Sequence, residues 1–167
     1  ILQSDAVLIS ANPEIPGIPT LQRLELPADA LVAPLFVPGD RPERFAKAAA
    51  SGADAVILDL EDAVAAERKA HALQQVCAHG LEGFRTIIRC NARVSACFEA
   101  DLRALRAVRF AALMLPKVAS ADDVAAVHAT LGRVVPVIPL IETAAGLARL
   151  TGILAAPGVC MAAFGSV

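Results

Sequence analysis

The chain has 167 residues, of which 56% are hydrophobic and 19% are charged, and its formal net charge is −2. This balance is typical of one globular domain with a large core, and its scattered charges exclude the basic field of a nucleic-acid-binding protein. The longest uncharged run, 150–167, is broken by Gly152, Pro157 and Gly158, which argues against a membrane helix. We therefore expect neither nucleic acid nor membrane as a partner.

Residues 1–30 differ from the rest of the chain. Four prolines punctuate this segment, and it has little periodicity, which predicts an irregular N-terminal arm. It shows no secretory or transit pattern, so the cytoplasm is the expected location.

Short apolar runs without alternation recur through residues 31–167 and predict strands of a covered parallel sheet. The runs are LVAPLFV from Leu31, AVILDL from Ala55, TIIRC from Thr86, AALMLP from Ala111, VPVIPLI from Val135 and VCMAAF from Val159. They begin 24 to 31 residues apart, which leaves room for one helix after each strand. Helix signals lie in these gaps. Pro42 suits the first turn of a helix. Ser120 with Asp123 forms a capping-box pattern at the start of another helix, and Gly132 marks its end.

Two α/β architectures contain such a repeat, an open doubly wound sheet and a closed barrel. The first strand continues into PGDRPERF rather than into GxGxxG, and polar residues end successive strands. These features favour a TIM (βα)8-type barrel domain over residues 31–167, present as about six βα units. Closing eight strands predicts about two further units after Val167.

Active sites of such barrels lie at the carboxyl ends of the strands, where this sequence places charged and polar side chains. In chain order these are Gly39, Asp40, Arg41, Asp59, Glu61, Asp62, Arg89, Asn91, Lys117 and Glu142. Each has a structural alternative: the acids could favour a helix start, Arg89 could be their ion-pair partner, and Glu142 could lie near the cap at Thr143. Five successive strands that each end in charge favour a joint site.

The residue types limit the chemistry of that site. The four cysteines, Cys77, Cys90, Cys97 and Cys160, form no CxxC pair, and His71, His79 and His128 lie outside metal-ligand spacing, so buried thiols and surface imidazoles are expected. Carboxylates without such ligands suit Mg²⁺. An arginine opposite the metal suits a substrate carboxylate, which indicates a small oxo- or hydroxy-acid.

Six motifs resemble, in order and spacing, the HpcH/HpaI aldolase and citrate lyase β-subunit family, which includes malyl-CoA lyases. They are LFVPGDRPERF at 35–45, DAVILDLEDAV at 54–64, IIRCN at 87–91, LMLPKV at 113–118, LIETAAG at 140–146 and AAFGSV at 162–167. The resemblance implies a TIM barrel and a Mg²⁺-dependent carbon–carbon lyase. Such an enzyme reversibly cleaves a citryl-, malyl- or citramalyl-CoA type β-hydroxyacyl thioester into an acyl thioester and an oxo-acid.

By the same resemblance, Glu142 is a magnesium ligand that also contacts substrate, and the second ligand is an aspartate expected just after Val167. Arg89 clamps the oxo-acid carboxylate, while Glu61 and Asp62 hold the arginine and the metal-bound water. The segment Gly39, Asp40 and Arg41 faces the thioester carrier, either coenzyme A or an acyl carrier protein, and Lys117 completes the substrate-binding rim. No residue identifies the general base.

One departure concerns the first strand, where the family's Arg-Ser pair is replaced by Val32 and Ala33. Two alternatives therefore remain open: an aldolase of the same superfamily that acts on free oxo-acids, and a catalytically silent scaffold or regulatory subunit of a lyase complex. The resemblance also favours a homo-oligomer, most often a trimer.

Overall fold

The computed structural model describes residues 7–10 and 31–165. Its strands are β1 Val7–Ser10, β2 Pro34–Pro38, β3 Ala55–Asp59, β4 Thr86–Arg89, β5 Ala112–Leu115, β6 Val137–Ile141 and β7 Met161–Phe164. Its α-helices are α1 Phe45–Ala49, α2 Lys69–Cys77, α3 Phe98–Ala104, α4 Ala121–Leu131, α5 Ala144–Ala148 and α6 Leu150–Leu154. Short 3₁₀ turns cover Pro42–Arg44, Ala66–Arg68 and Leu105–Ala107.

One seven-stranded sheet connects these elements in the order β1-β7-β6-β5-β4-β3-β2. Strands β2 to β7 run parallel in chain order, which confirms the six predicted strands. The parallel strands and their helices form a curled α/β half-barrel. The described residues do not show the closed eight-stranded barrel, which stays a prediction, as does the domain boundary at residue 31.

Part of the expected irregular arm is a strand. Val7–Ser10 pairs antiparallel with β7, with Val7 opposite Phe164 and Ser10 opposite Met161. The pairing satisfies backbone groups that β7 would otherwise leave open. The prediction of an irregular segment is wrong for these four residues, and the rest of 1–30 lies outside the described residues.

The sheet separates two hydrophobic clusters, because successive side chains of a strand point to opposite faces. The outer cluster joins the strands to the helices and includes Val56, Leu58 and Val76. The inner cluster comes almost wholly from strands: Leu31, Ala55, Ile57, Ile87, Ala112, Met114, Ile138, Leu140, Met161 and Ala163. Both clusters are buried, which explains why the strand sequences are apolar without alternation.

The sequence signals for α4 are confirmed. The Asp123 carboxylate accepts hydrogen bonds from the backbone N–H groups of Ala119 and Ser120, at 2.8 and 3.0 Å. Gly132 ends the helix in the left-handed conformation, with φ of 74°. In the described ranges, no helix is long and apolar enough to cross a membrane.

Candidate functional site

The inner face of the sheet leads to the site. Asp59 follows Ala55 and Ile57 in the same alternation, Arg89 follows Ile87, and Glu142 follows Ile138 and Leu140. These three polar residues therefore lie where the inner cluster ends, at the carboxyl ends of β3, β4 and β6. The predicted convergence of strand ends has a simple origin, which is the two-residue period of parallel strands.

Asp59 and Arg89 form a buried bidentate pair. Arg89 Nε lies 2.7 Å from Asp59 Oδ1, and Nη2 lies 2.6 Å from Oδ2. The Asp59 side chain is fully buried and the Arg89 side chain is 10% exposed. Burial by itself lowers the pKa of Arg89, but the hydrogen bonds and charge of Asp59 outweigh it, and the net pKa is raised. Arg89 is therefore a permanent, rigidly held cation.

The same carboxylate organises the loop after β3. The backbone N–H groups of Glu61 and Ala63 donate to Asp59 at 2.8 and 2.9 Å. Lys69 secures the loop from the other side, since its Nζ donates to the carbonyl oxygens of Leu60 and Glu61, both at 2.7 Å. The position of the Glu61 side chain is thus fixed by its own backbone.

Glu61 lies between two cations. Its Oε1 accepts a hydrogen bond from Lys117 Nζ, and its Oε2 lies 3.5 Å from Arg89 Nη1. Oε2 is buried and has no hydrogen-bond partner among the described residues. A buried carboxylate oxygen without a donor is costly, which makes it a candidate contact for a ligand.

Lys117 lies in the turn after β5 and has an unusual backbone conformation. Its φ is 56°, the only positive value at a non-glycine residue in the described ranges. Strand alternation would place Lys117 on the outer face with Leu113 and Leu115, and the left-handed turn breaks that alternation. Its Nζ also lies 3.4 Å from Asp62 Oδ1, while its backbone N–H donates to Glu142 Oε2 at 3.0 Å. One residue thus contacts three carboxylates.

The electrostatics of these carboxylates differ. Partial burial raises the pKa of Glu142, and the nearby charge of Glu61 acts in the same direction, so the net pKa lies above its ordinary value. Burial also raises the pKa of Asp62, but the Lys117 ammonium, a hydrogen bond with Glu61 and the charge of Arg89 together outweigh it, and the net pKa is lowered. The hydrogen bond to Glu61 raises the pKa of Lys117, which keeps this side chain cationic.

A cleft of about 520 Å³ lies next to this cluster, at the ends of β2 and β3. Its lining includes three arginines, Arg41, Arg44 and Arg68, together with Asp40. Asp40 pairs with Arg68 at 3.1 Å and lies 3.9 Å from Arg41. The remaining arginine donors make the cleft suited to an anionic group.

Gly39 joins the cleft to the buried pair. Its N–H donates to the Asp59 carbonyl oxygen at 2.7 Å. A Cβ on Gly39 would lie 2.7 Å from that oxygen and 2.9 Å from Val76 Cγ2, so only glycine fits. The PGDR segment is thereby packed against the end of β3.

The structure brings five of the predicted site residues into one cluster, namely Glu61, Asp62, Arg89, Lys117 and Glu142. Asp40 and Arg41 lie apart from it, in the arginine-lined cleft, and Gly39 packs between that cleft and the end of β3. Asn91 is buried and bonded to Asp101, at 2.7 Å from its side-chain nitrogen, as a structural residue.

Sequence reasoning placed Asp59 at the rim without naming it as the partner of Arg89, and it left out Phe36 and Lys69. Asp59 rather than Asp62 holds Arg89, and its place in the inner-face alternation is a signal for that role. Phe36, whose ring centroid lies 4.9 Å from Arg89 Cζ, continues the same face on β2. Lys69 has no such signal, because its contacts depend on the path of the loop.

Val32 and Ala33, which stand where the family has its Arg-Ser pair, make their hydrogen bonds through the backbone. The N–H groups of Val32 and Ala33 both donate to Asp54 Oδ2, at 2.9 and 2.7 Å. Val32 is 81% exposed. The side chain of Val32 therefore offers the site no polar group.

The carboxylate oxygens of the cluster are the type of ligand that magnesium prefers. Glu142 and the unpartnered Oε2 of Glu61 supply hard carboxylate oxygens, and Mg²⁺ typically takes one or two carboxylates and completes its shell with substrate and water. In the described part of the chain, no three His, Cys, Asp or Glu side chains are placed to hold a metal ion by themselves. The residues fit a magnesium site that shares its ligands with a substrate.

In the described part of the chain, no hydrogen bond or ion pair joins a cysteine or histidine side chain to the five-residue cluster. Cys90 is fully buried, and burial raises the pKa of its thiol well above the ordinary value. Cys77, Cys97 and Cys160 are half-buried rather than buried, and all four cysteines are free thiols. His128 bonds the Val135 carbonyl oxygen, and His79 bonds that of Arg109.

Comparison with known proteins connects this geometry to a family. The model of the HpcH/HpaI aldolase/citrate lyase family matches residues 33–167. A citrate lyase subunit beta-like protein of Mycobacterium tuberculosis is 45% identical over 122 residues, which cover 73% of this chain and 42% of the relative. A (3S)-malyl-CoA thioesterase of Cereibacter sphaeroides is 38% identical over 130 residues and covers 74% and 44%.

Solved structures of citrate lyase beta subunits align with this chain. A citrate lyase beta subunit from M. tuberculosis, complexed with oxaloacetate and magnesium, aligns with a TM-score of 0.69 at 42% identity, over 78% of this chain and 57% of that one. Protein CitE of the same organism, in complex with magnesium, acetoacetate and coenzyme A, gives 0.69 at 44% identity, over 78% and 47%. The chain spans less than half the length of the two curated relatives.

Proposed function

This chain belongs to the HpcH/HpaI aldolase/citrate lyase family, and on that premise we propose that it carries the catalytic rim of a magnesium-dependent carbon–carbon lyase. The substrate class is a β-hydroxyacyl thioester of the malyl-, citramalyl- or citryl-CoA type. The products are an acyl thioester and an oxo-acid.

The proposal rests on the hydrogen bonding of the Arg89 guanidinium, which is only partly used by neighbouring residues. Asp59 takes one edge of the guanidinium, through Nε and Nη2, and leaves the two N–H groups of Nη1 available. Glu61 Oε2 lies 3.5 Å from Nη1, too long for a hydrogen bond. A planar fork that is locked on one edge and open on the other is suited to a substrate carboxylate.

The neighbouring acids fit the rest of an oxo-acid. Glu142 and Glu61 are the residues that would hold Mg²⁺, and relatives have been solved with magnesium together with oxaloacetate or acetoacetate. Magnesium, when bound, supplies a Lewis acid for negative charge on the oxo-acid oxygens. Asp62, exposed at the mouth and paired with Lys117, adds to the negative potential.

The arginine-lined cleft is suited to the thioester carrier. Coenzyme A is a thiol with several phosphates, and Arg41, Arg44 and Arg68 supply cationic forks at the outer end of the same rim. The Asp40 carboxylate pairs with Arg68 and so holds one of these forks in place. We therefore assign the acyl end of the thioester to Arg89 and the phosphate end to this cleft.

The chemistry of cleavage places demands on these residues. The bond between the hydroxyl-bearing carbon and the carbon next to the thioester breaks, and the hydroxyl loses its proton. The electron pair of the broken bond passes to the carbon next to the thioester, where the thioester carbonyl stabilises it as an enolate. A proton then returns to that carbon to give the acyl thioester. The hydroxyl proton passes to a general base, and Arg89 holds the carboxylate as charge develops beside it.

The test is a product assay with malyl-CoA, citramalyl-CoA and citryl-CoA at millimolar Mg²⁺. A lyase releases an oxo-acid, trapped as its phenylhydrazone, and leaves the thioester intact. We expect Glu142→Gln to abolish the magnesium-dependent part of this activity with little change in melting temperature, because an amide is a poorer ligand for the cation. Wild-type metal dependence in Glu142→Gln would contradict the assignment of Glu142.

The same assay separates the alternatives. Release of free coenzyme A thiol without oxo-acid identifies a thioesterase, the activity named for the C. sphaeroides relative. Turnover of free hydroxy-oxo-acids but not of thioesters identifies an aldolase. Absence of all turnover by the complete polypeptide identifies a scaffold or regulatory subunit. Replacing coenzyme A with an acyl-carrier-protein thioester tests the carrier.

A further inference from the structure

We propose that Lys117 is a built-in cation that occupies the acidic cluster in the absence of metal and gives way when Mg²⁺ binds. The inference rests on the proposed function in one respect, because it assigns the metal to the same carboxylates. It goes beyond that function by naming a residue that sets metal affinity by competition.

The contacts of Lys117 define the argument. Its Nζ is bonded to Glu61 Oε1 and lies 3.4 Å from Asp62 Oδ1, and its backbone N–H donates to Glu142 Oε2. These carboxylates are the only ones that the described contacts give to Lys117. The ammonium therefore neutralises the charge of Glu61, one of the two carboxylates that a divalent cation would also neutralise.

The exposed fractions of the two side chains indicate that Lys117, and not Glu61, moves when the pair separates. The Lys117 side chain is 45% exposed, whereas the Glu61 side chain is 6% exposed. Asp59 and Lys69 fix the loop backbone around Glu61. An ammonium on a flexible four-carbon stem can swing into water at low cost, but the buried carboxylate cannot follow it. The geometry is thus a fixed anion under a movable cation.

The left-handed backbone of Lys117 separates its two roles. Strain at a non-glycine residue persists only where the surroundings hold it, and here the N–H to Glu142 is one such contact. Because the backbone holds Glu142, departure of Nζ leaves that carboxylate in position. The released ammonium is then free for the carboxylate of a substrate.

The first experiment is titration calorimetry of the 167-residue chain with MgCl₂ alone. Lys117→Met removes the competing charge and keeps the shape, and we expect it to tighten Mg²⁺ binding by about tenfold, or about 1.4 kcal/mol. Lys117→Arg keeps a competing cation and should not tighten binding. Lys47→Met is the control, because it removes the charge of an exposed lysine on α1, outside the cluster. A general field effect would tighten both methionine variants alike and would overturn the proposal.

The second experiment needs no substitution at the site. The chain has three lysines, Lys47, Lys69 and Lys117. Amine acylation followed by mass spectrometry should show Lys117 reacting several times faster once Mg²⁺ is added, while exposed Lys47 stays constant as the reference. Unchanged or slower acylation of Lys117 in the presence of bound Mg²⁺ would overturn the inference, and so would a chain that binds no Mg²⁺.

Failure of this inference can be told from failure of the proposed function. Tighter metal binding by Lys117→Met in a chain that cleaves no thioester would leave the cation exchange standing and remove the lyase activity. Turnover by a wild-type chain whose Lys117→Met variant binds Mg²⁺ equally well would remove the cation exchange alone.

Discussion

At the scale of single residues, Asp59 shows how a binding group is also part of the core. Its carboxylate accepts from Arg89 twice and from the N–H groups of Glu61 and Ala63. The pair therefore couples the stability of the strand ends to the position of the substrate clamp.

Asp59→Ala should lower the free energy of unfolding by about 3–5 kcal/mol, because it leaves the Arg89 cation buried without its partner. Urea denaturation at neutral pH measures the change. Glu99→Ala, which breaks the exposed pair with Arg103, is the control and should cost at most about 1 kcal/mol. A loss below 1 kcal/mol for Asp59→Ala would mean that the pair is solvated in solution.

Arg89→Lys should weaken oxaloacetate or glyoxylate binding at least tenfold, because lysine keeps the charge but loses the open fork. It should also lower stability, since one ammonium cannot replace both bonds to Asp59. Calorimetry at a temperature well below the melting midpoint separates the two effects. Unchanged oxo-acid affinity in a folded variant would remove Arg89 from the substrate site.

The sequence predicts Arg89 and Glu142 at one rim because each continues a buried strand in a period of two. It does not predict which acid pairs with Arg89, since Asp59, Glu61 and Asp62 are within three positions of one another. That choice depends on the loop, whose N–H groups turn back onto Asp59. The turn at Lys117 is equally hidden, because nothing in LMLPKV requires a positive φ.

At the scale of elements, short helices are placed by close backbone contacts. A Cβ on Gly146 in α5 would collide with the carbonyl oxygen of Val118, whereas Gly152 in α6 has nothing within 4 Å of that position. A side chain is therefore excluded at Gly146 by the neighbouring backbone, and there is room for one at Gly152.

Gly146→Ala should cost about 1–3 kcal/mol, because α5 must move away from the loop after β5. Gly152→Ala should add up to about 1 kcal/mol, since alanine is the better helix former at an exposed position. Thermal melts of the two variants should shift in opposite directions. Equal shifts would show that α5 does not pack on Val118.

The cap of α4 predicts a pH dependence. Partial burial raises the pKa of Asp123, but the N–H of Ala119, the Arg93 guanidinium and the N–H of Ser120 outweigh it, so the net pKa is lowered. A carboxylate with a depressed folded pKa contributes stability above its unfolded value, about 3.9, and loses it as pH falls through the folded value.

Asp123→Asn should therefore be less stable than the wild type by about 1 kcal/mol at neutral pH, and the difference should shrink below about pH 4. Paired melts across that range give the measurement. Asp122→Asn, at an exposed neighbour in the same turn, is the control and should differ little at any pH. A gap that stays constant into acid would rule out the charged cap.

Strand positions follow from the apolar runs to within a few residues. The first run starts at Leu31 but β2 starts at Pro34, because the N–H groups of Val32 and Ala33 bond the Asp54 carboxylate rather than a neighbouring strand. A side-chain acceptor from the end of another loop cannot be read from the run itself.

At the scale of the whole molecule, the sheet has two edges in the described residues, β1 and β2. Proline stands at both ends of β2, where it limits the donors offered to another chain. At the other edge, β1 lies on β7, which carries Gly165 against Glu142. A homo-oligomer stays a prediction, and light scattering on the purified chain tests it.

The pairing of β1 with β7 can be tested with two adjacent proline substitutions. Leu8 lies opposite Ala163 and Ile9 opposite Ala162, and neighbouring N–H groups of a strand point in opposite directions. Only one of the variants Leu8→Pro and Ile9→Pro therefore removes a hydrogen bond to β7, while the other removes an outward N–H that an edge strand can lose.

We expect one variant to speed amide exchange in Met161–Phe164 by roughly tenfold, which corresponds to about 1.4 kcal/mol, and the other to leave it nearly unchanged. Hydrogen–deuterium exchange with mass spectrometry gives the rates, and exchange in β4, at the centre of the parallel strands, is the internal reference. If β7 exchanges at the wild-type rate in both variants, β1 does not pair with this edge in solution.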